Sequence, residues 1–161
     1  MGTRARIAVR HPTNGTFASI YTHWDGYPSH HGPILLKHYD TFEKVCELMA
    51  LGDLSVLGER IGVKHDFNTS YQQCKDELGD ICVAYGRDRG EEGIEAVVSD
   101  SLDALRELTQ DCGGEYLYLF DNGVWYCAEG GASFFGMPAS EAPGELPKLA
   151  DVVAEEARQE A

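Results

Sequence analysis

Residues 19–39 read SIYTHWDGYPSHHGPILLKHY and hold four of the six histidines, one of the two tryptophans and three of the eight tyrosines. Imidazole changes charge near neutral pH, so His23 with Asp25 two residues on has the types needed for an acid–base pair or for metal ligation. Trp24 and Tyr27 offer ring faces on which a base or sugar can stack. His30, His31 and His38, with Asp25, add nitrogen and oxygen donors that suit a divalent ion. Yet no HxH or HExxH spacing is present, and adjacent histidines seldom reach one ion, so no metal is expected. The plainer reading makes Trp24 a core residue and Asp25-Gly26 a turn. The histidine pair is then solvated at a helix entrance, with His38 covering that helix's inner face.

A second unusual stretch is YGRDRGEE, residues 85–92. Arg87 and Arg89 at a strand end can grip a phosphate or carboxylate through paired N–H groups, and Gly86 and Gly90 let backbone N–H groups approach as well. The plainer reading is a charged loop in which both arginines pair with Asp88, Glu91 and Glu92 for ~0–1 kcal/mol each. Nucleophilic catalysis finds little support, since GxSxG, P-loop and GxGxxG patterns are absent and no cysteine adjoins a histidine. The candidate ligand-binding set is therefore His23, Trp24, Asp25, Tyr27, His38, Arg87, Asp88 and Arg89. If the protein is an enzyme, His23 and Asp25 are the catalytic candidates. No cofactor is called for.

Charge limits what these residues can meet. The chain has a net charge of −14, but residues 1–90 are nearly balanced while residues 91–161 carry 16 acidic against 3 basic side chains. An anionic ligand therefore belongs with the N-terminal half. Lys and Arg do not cluster as phosphate-backbone binding requires, so direct nucleic-acid binding is not expected. No run approaches the ~18 apolar residues of a membrane span, and the N-terminus lacks a signal peptide's apolar core. The five cysteines show no CxxC spacing, which suits buried thiols in a reducing cytoplasm.

The elements that must position the site follow from pattern. RIAVR and TFASIYTHW alternate around a turn, as a β-hairpin does. Phe17, Ser19, Tyr21 and His23 then share one face, and Ala18, Ile20, Thr22 and Trp24 the other. Pro33 suits the first position of a short helix, PILLKHY. A second helix carries Phe42, Val45, Leu48 and Met49, starts at Asp40 or Thr41 and ends at Gly52. DLSVLGERIG reads as a short helical turn, and residues 63–80 as a polar, irregular functional loop. ICVAYG and IEAVVS read as strands. Asp100 or Ser101 caps a helix with Leu102, Leu105 and Leu108 inward, and EYLYLF-DNG-VWYCAE is the clearest hairpin. The expectation is α+β: a largely antiparallel sheet built from hairpins, with helices on one face. One domain over 1–137, a linker over 138–147 and an acidic C-terminal helix or tail over 148–161 complete it.

The order of TRARI, IYTHWDGYPSHHGPILLKHY, KVCELMALGDLSVLGERIG, VAYGRDRGEE and EYLYLFDNGVWY resembles a family of short uncharacterised bacteriophage and mobile-element proteins. The likeness spans about residues 3–127 and rests on the HWDGYP, LGDLSxLGE and YxRDRGE blocks. It implies an accessory protein of the host cytoplasm and one shared site for HWDGYP and RDRGE; it supplies no activity. Together these readings favour a non-enzymatic, counter-defence type of factor that binds a small anionic, nucleotide-like ligand. One alternative is a small hydrolase of a nucleotide or phosphodiester. The other is an acidic inhibitor or DNA mimic directed at a host protein, using Asp100, Asp103, Glu107 and Asp111, although the same acidity also serves solubility. A homo-oligomer is compatible with the sequence.

Overall fold

The computed structural model describes residues 2–129 and 146–160. Its strands are β1 (Ala5–Arg10), β2 (Phe17–Thr22), β3 (Leu54–Val56), β4 (Val83–Ala84), β5 (Val97–Ser99), β6 (Tyr116–Asp121) and β7 (Val124–Glu129). The helices are α1 (Pro28–His38), α2 (Phe42–Leu51), α3 (Tyr71–Leu78), α4 (Tyr85–Arg89), α5 (Leu102–Asp111) and α6 (Leu149–Glu160). One sheet runs β4-β3-β2-β1-β6-β7, and β5 pairs with β2 beside it. The fold is α+β, as the pattern predicts, but the sheet is mixed: β1 lies parallel to β6, and β2 to β3.

Alternation decides what each face buries. Ile7 stands opposite Ile20 on β2 and Tyr118 on β6, and that face takes the core residues Leu35 of α1, Leu48 of α2 and Leu149 of α6. Ala8, Leu117 and Leu119 point the other way and are covered by Leu102 and Leu105 of α5. The helices thus occupy both faces, not one. The cause is visible in YLYLF, whose residues Leu117 to Phe120 are all buried; a strand apolar on both sides needs cover on both sides.

Several local expectations change. Helix α1 begins at Pro28, not Pro33, because Pro28 already supplies the fixed φ of a first helical residue and holds Tyr27 extended. Pro33 sits inside the helix, and the carbonyl it cannot serve belongs to the exposed Ser29. DLSV is strand β3 and not a helical turn: Leu54 is buried against β2, and the chain there pairs with β2 on one side and β4 on the other. The polar stretch 63–80 contains α3, started by the Ser70 hydroxyl, which accepts the Gln73 N–H. Thr41 and Ser101 cap α2 and α5 in the same way.

The C-terminal helix is packed, not free. Leu149 is fully buried, and a Cβ at Gly32 of α1 would run into Val153 of α6, so only glycine allows this approach. Most of the expected linker, 138–145, lies outside the described residues. All five cysteines are free thiols. Among the described residues no helix is long and apolar enough to cross a membrane.

Candidate functional site

The outer edge of β2 forks. Residues 17–19 pair with β5, whereas from Thr22 onward the chain runs beside β3. The His23 and Trp24 N–H groups donate to the Leu54 and Ser55 carbonyls, each at 3.1 Å. In the fork between, the Tyr21 N–H donates to Asp53 Oδ1 at 2.9 Å. A carboxylate thus completes the ladder where no strand can, and burial pushes that carboxyl's pKa up.

Tyr21 and His23 project from the α5 side of the sheet. The Tyr21 hydroxyl lies 2.6 Å from His23 Nδ1. Burial raises the phenol's pKa; burial and the nearby Arg4 lower that of the imidazole. With the phenol protonated and the ring neutral, the direction of this bond follows the ring's tautomer: the phenol donates to Nδ1 when the ring proton is on Nε2, and accepts from Nδ1 when it is not. The His23 ring also meets Trp24 edge-on, centroids 4.7 Å apart.

A cleft of ≈310 Å³ is bordered by Trp24 and Asp25, by Ser55 and Val83, and by Phe67, Thr69 and Cys74. Trp24 is 43% exposed. Asp25 stands at φ 57°, a left-handed conformation that Asp tolerates better than most residues. The turn is clamped from beneath: Gly26 N–H donates to the Thr3 carbonyl at 2.8 Å, and the buried Tyr118 hydroxyl donates to the Gly26 carbonyl at 2.5 Å. Behind Phe67 stand Tyr85, 5.6 Å away between centroids, and Arg89, whose guanidinium lies 4.7 Å from the Phe67 ring and 4.9 Å from the Tyr85 ring. Phe67 thus shares the lining of the cleft with Trp24 and Asp25 and stacks against Tyr85 and Arg89 of the second block.

The members of the candidate set part company here. Trp24 and Asp25 border the cleft; His23 lies against Trp24, and Arg89 stacks on Phe67 while pairing with Glu91 in solvent. Arg87 is spent inside the fold. Its guanidinium donates to Asp88 Oδ1 and Oδ2 at 3.0 and 3.1 Å, and to the Ile61 and Cys82 carbonyls at 2.7 Å each. Asp88 is sealed from solvent and also accepts the Ala84 and His65 N–H groups. Burial alone would raise Asp88, but Arg87 and these N–H donors hold its carboxyl below the ordinary range. The cause is α4: where a loop was expected, five helical residues turn Arg87 and Asp88 inward and Arg89 outward.

Tyr27 and His38 do not line the cleft. Tyr27 caps α1 with its ring 6.1 Å from His30. His38 closes α1, 3.6 Å from the Glu59 carboxylate. His31 is fully buried with Nε2 2.9 Å from the Thr22 hydroxyl and Nδ1 3.2 Å from His30 Nδ1; burial, then His30, push its pKa down to about 3. It is a neutral core histidine, not a solvated one. Among the described residues no three His, Cys, Asp or Glu side chains gather as a metal site would need.

Tyr21, Asp53, Ser55, Phe67 and Tyr85 escaped the sequence reading. Phe67, a ring set within HDFNTS, and Tyr21, two residues before His23 on the same strand face, carried a usable signal. Chemically, the cleft offers two aromatic side chains, one carboxylate and hydroxyls at Ser55 and Thr69, with the Arg89 cation stacked on the Phe67 ring. Burial raises the Cys74 thiol, which therefore lines the cleft as a thiol and not as a thiolate nucleophile. A larger cavity of ≈520 Å³ lies between α2 and the β1–β2–β5 face, but the residues of HWDGYP and of 85–89 do not border it. A scan against protein-family models and searches of curated proteins and of solved structures found no match to this chain.

Proposed function

We propose that this protein is a phage or mobile-element accessory factor of counter-defence type, acting in the host cytoplasm. In this reading it holds a small anionic, nucleotide-like ligand between Trp24 and Phe67 without turning it over. The observation that carries the ligand is the cleft itself: two aromatic side chains and a carboxylate on its lining, with Arg89 stacked on Phe67. A base stacks on these rings at ~1–3 kcal/mol per base, and Asp25 accepts its N–H groups. Arg89 takes the anionic group, exchanging a solvent-exposed pair with Glu91 that contributes little. Arg87, spent on its own backbone and on Asp88, has no part. At ≈310 Å³ the space suits a base or nucleoside and not a dinucleotide. The accessory assignment rests on the order of the HWDGYP, LGDLSxLGE and YxRDRGE blocks.

Binding without turnover is the reading that the placement of His23 supports. His23 Nδ1 is taken up by the Tyr21 hydroxyl, and His23 is not among the residues that line the cleft. The one pairing that favours the hydrolase alternative is that same 2.6 Å Tyr21–His23 contact, because a substrate could enlist it as a relay. A His23→Ala chain separates the two: a binder keeps most of its affinity, and an enzyme loses turnover by roughly 10²–10⁴-fold.

Calorimetric titration with a panel of ribonucleoside mono- and diphosphates tests the site. Trp24→Ala is expected to weaken the tightest of them by ~1–3 kcal/mol, and Arg89→Ala by ~1.5–3 kcal/mol, with the nucleotide recovered intact. Unchanged affinity in both variants would remove the cleft from consideration.

A further inference from the structure

We propose that the groove between α2 and β5 is a second, separate docking site, for an extended segment of a partner protein that alternates apolar and basic side chains. The ≈520 Å³ cavity there is walled by Phe42, Cys46 and Met49 of α2, floored by Val9 and Ala18, and bordered by Val98 of β5. It lies on the face of the sheet opposite Tyr21 and His23. Two further observations name its occupant.

The first is a free strand edge. β5 pairs with β2 on one side, and on the other its backbone bonds to no described segment. Val97 and Val98 are 42% and 66% exposed, so an unpaired edge carries apolar side chains and meets an apolar cavity. That is the pattern by which extended peptides are taken up as added strands, with backbone pairing for affinity and a pocket for the anchoring side chain.

The second is charge. From residue 91 to residue 105 the chain has five acidic and no basic side chains, and Glu92, Glu95 and Asp100 flank β5 in solvent. On α2 the exposed Glu43 and Glu47 lie one helical turn from Cys46 and Ala50 at the cavity wall. Lys44, the cation between them, is held by Asp40 at 3.1 Å. An acidic rim around an apolar slot selects a basic segment and repels a second copy of a chain with a net charge of −14. The edge is only three residues long and flanked by acidic residues, features that suppress self-pairing.

Panning a random-sequence peptide library against the full chain, with V98K as the counter-target, tests this. Val98 is exposed, so V98K folds, and circular dichroism verifies it. The expected peptides alternate apolar residues with Lys or Arg and bind the V98K chain about tenfold or more weakly. They also slow amide exchange at Val97–Ser99, and their affinity falls with salt. Enriched peptides without basic residues, or equal binding to V98K, overturn the proposal. So does protection confined to the Trp24 cleft. A wild-type dimer in sedimentation that V98K dissociates also overturns it, by giving the groove to a second copy.

Discussion

Replacing Arg87 by alanine is expected to lower folding stability by about 3–5 kcal/mol, the cost of leaving a buried charge without its partner. The Asp88 carboxylate is fully shielded and would face that loss directly. The same guanidinium ties α4 to the Ile61 and Cys82 carbonyls, so the segment carrying Phe67 and Arg89 loosens with it. Arg87→Lys should recover only part, because an ammonium cannot reproduce the fork that serves two carboxylate oxygens and two carbonyls. Urea denaturation of the three chains measures this. A loss below about 1 kcal/mol would place Arg87 among ordinary surface pairs and reopen it as a ligand for anions. The consequence for binding work is practical: weakened binding in Arg87→Ala reports a disturbed scaffold, whereas Arg89→Ala reports the site.

The second large effect is acid lability set by His31. Its folded pKa of about 3 lies below the ordinary 6.5, so between these values the unfolded chain binds a proton that the folded chain refuses. Stability is therefore complete above pH 6.5 and falls as pH drops toward 3, by ~1.4 kcal/mol per pH unit. Between pH 6.5 and 5 this amounts to roughly 2 kcal/mol. His23, also lowered by burial, adds in the same sense. Asp53, raised by burial, opposes it. Asp88 and Asp40, lowered by their partners, contribute only below the ordinary carboxylate range. Urea midpoints from pH 7 to 5 should fall steeply in the natural chain and much less in His31→Gln. Equal slopes would mean that His31 is already charged in the fold.

Where side-chain pattern alone decides an element, the sequence was readable. The β1–β2 and β6–β7 hairpins follow from alternation and from the DNG turn, where Asn122 and Gly123 take positive φ. Helices α2 and α5 follow from their caps and apolar stripes. DLSV did not, since three residues are too few for a period to show, and its strand character comes from β2 and β4 on either side. Nor did α3, whose exposed polar residues resemble a loop. The site divides in the same way. Residue types marked HWDGYP and RDRGE, but the direction in which Arg87 points depends on α4, and α4 depends on contacts with residues 61–65. Asp53 was invisible, because only the forked edge of β2 gives its carboxylate an N–H to accept.

The central claim is that a nucleotide-like ligand lies against Trp24, and the two tryptophans provide their own control. Trp125 is buried, with its indole N–H donating to the Tyr39 carbonyl at 2.8 Å; Trp24 stands exposed on the cleft wall. A ¹H–¹⁵N spectrum should show two indole signals, to be followed while ribonucleoside mono- and diphosphates are added in turn. The account predicts a saturable shift of the Trp24 signal with at least one nucleotide, while that of Trp125 stays still and inorganic phosphate alone moves neither. If the Trp24 signal stays fixed through the whole panel, the cleft does not hold such a ligand.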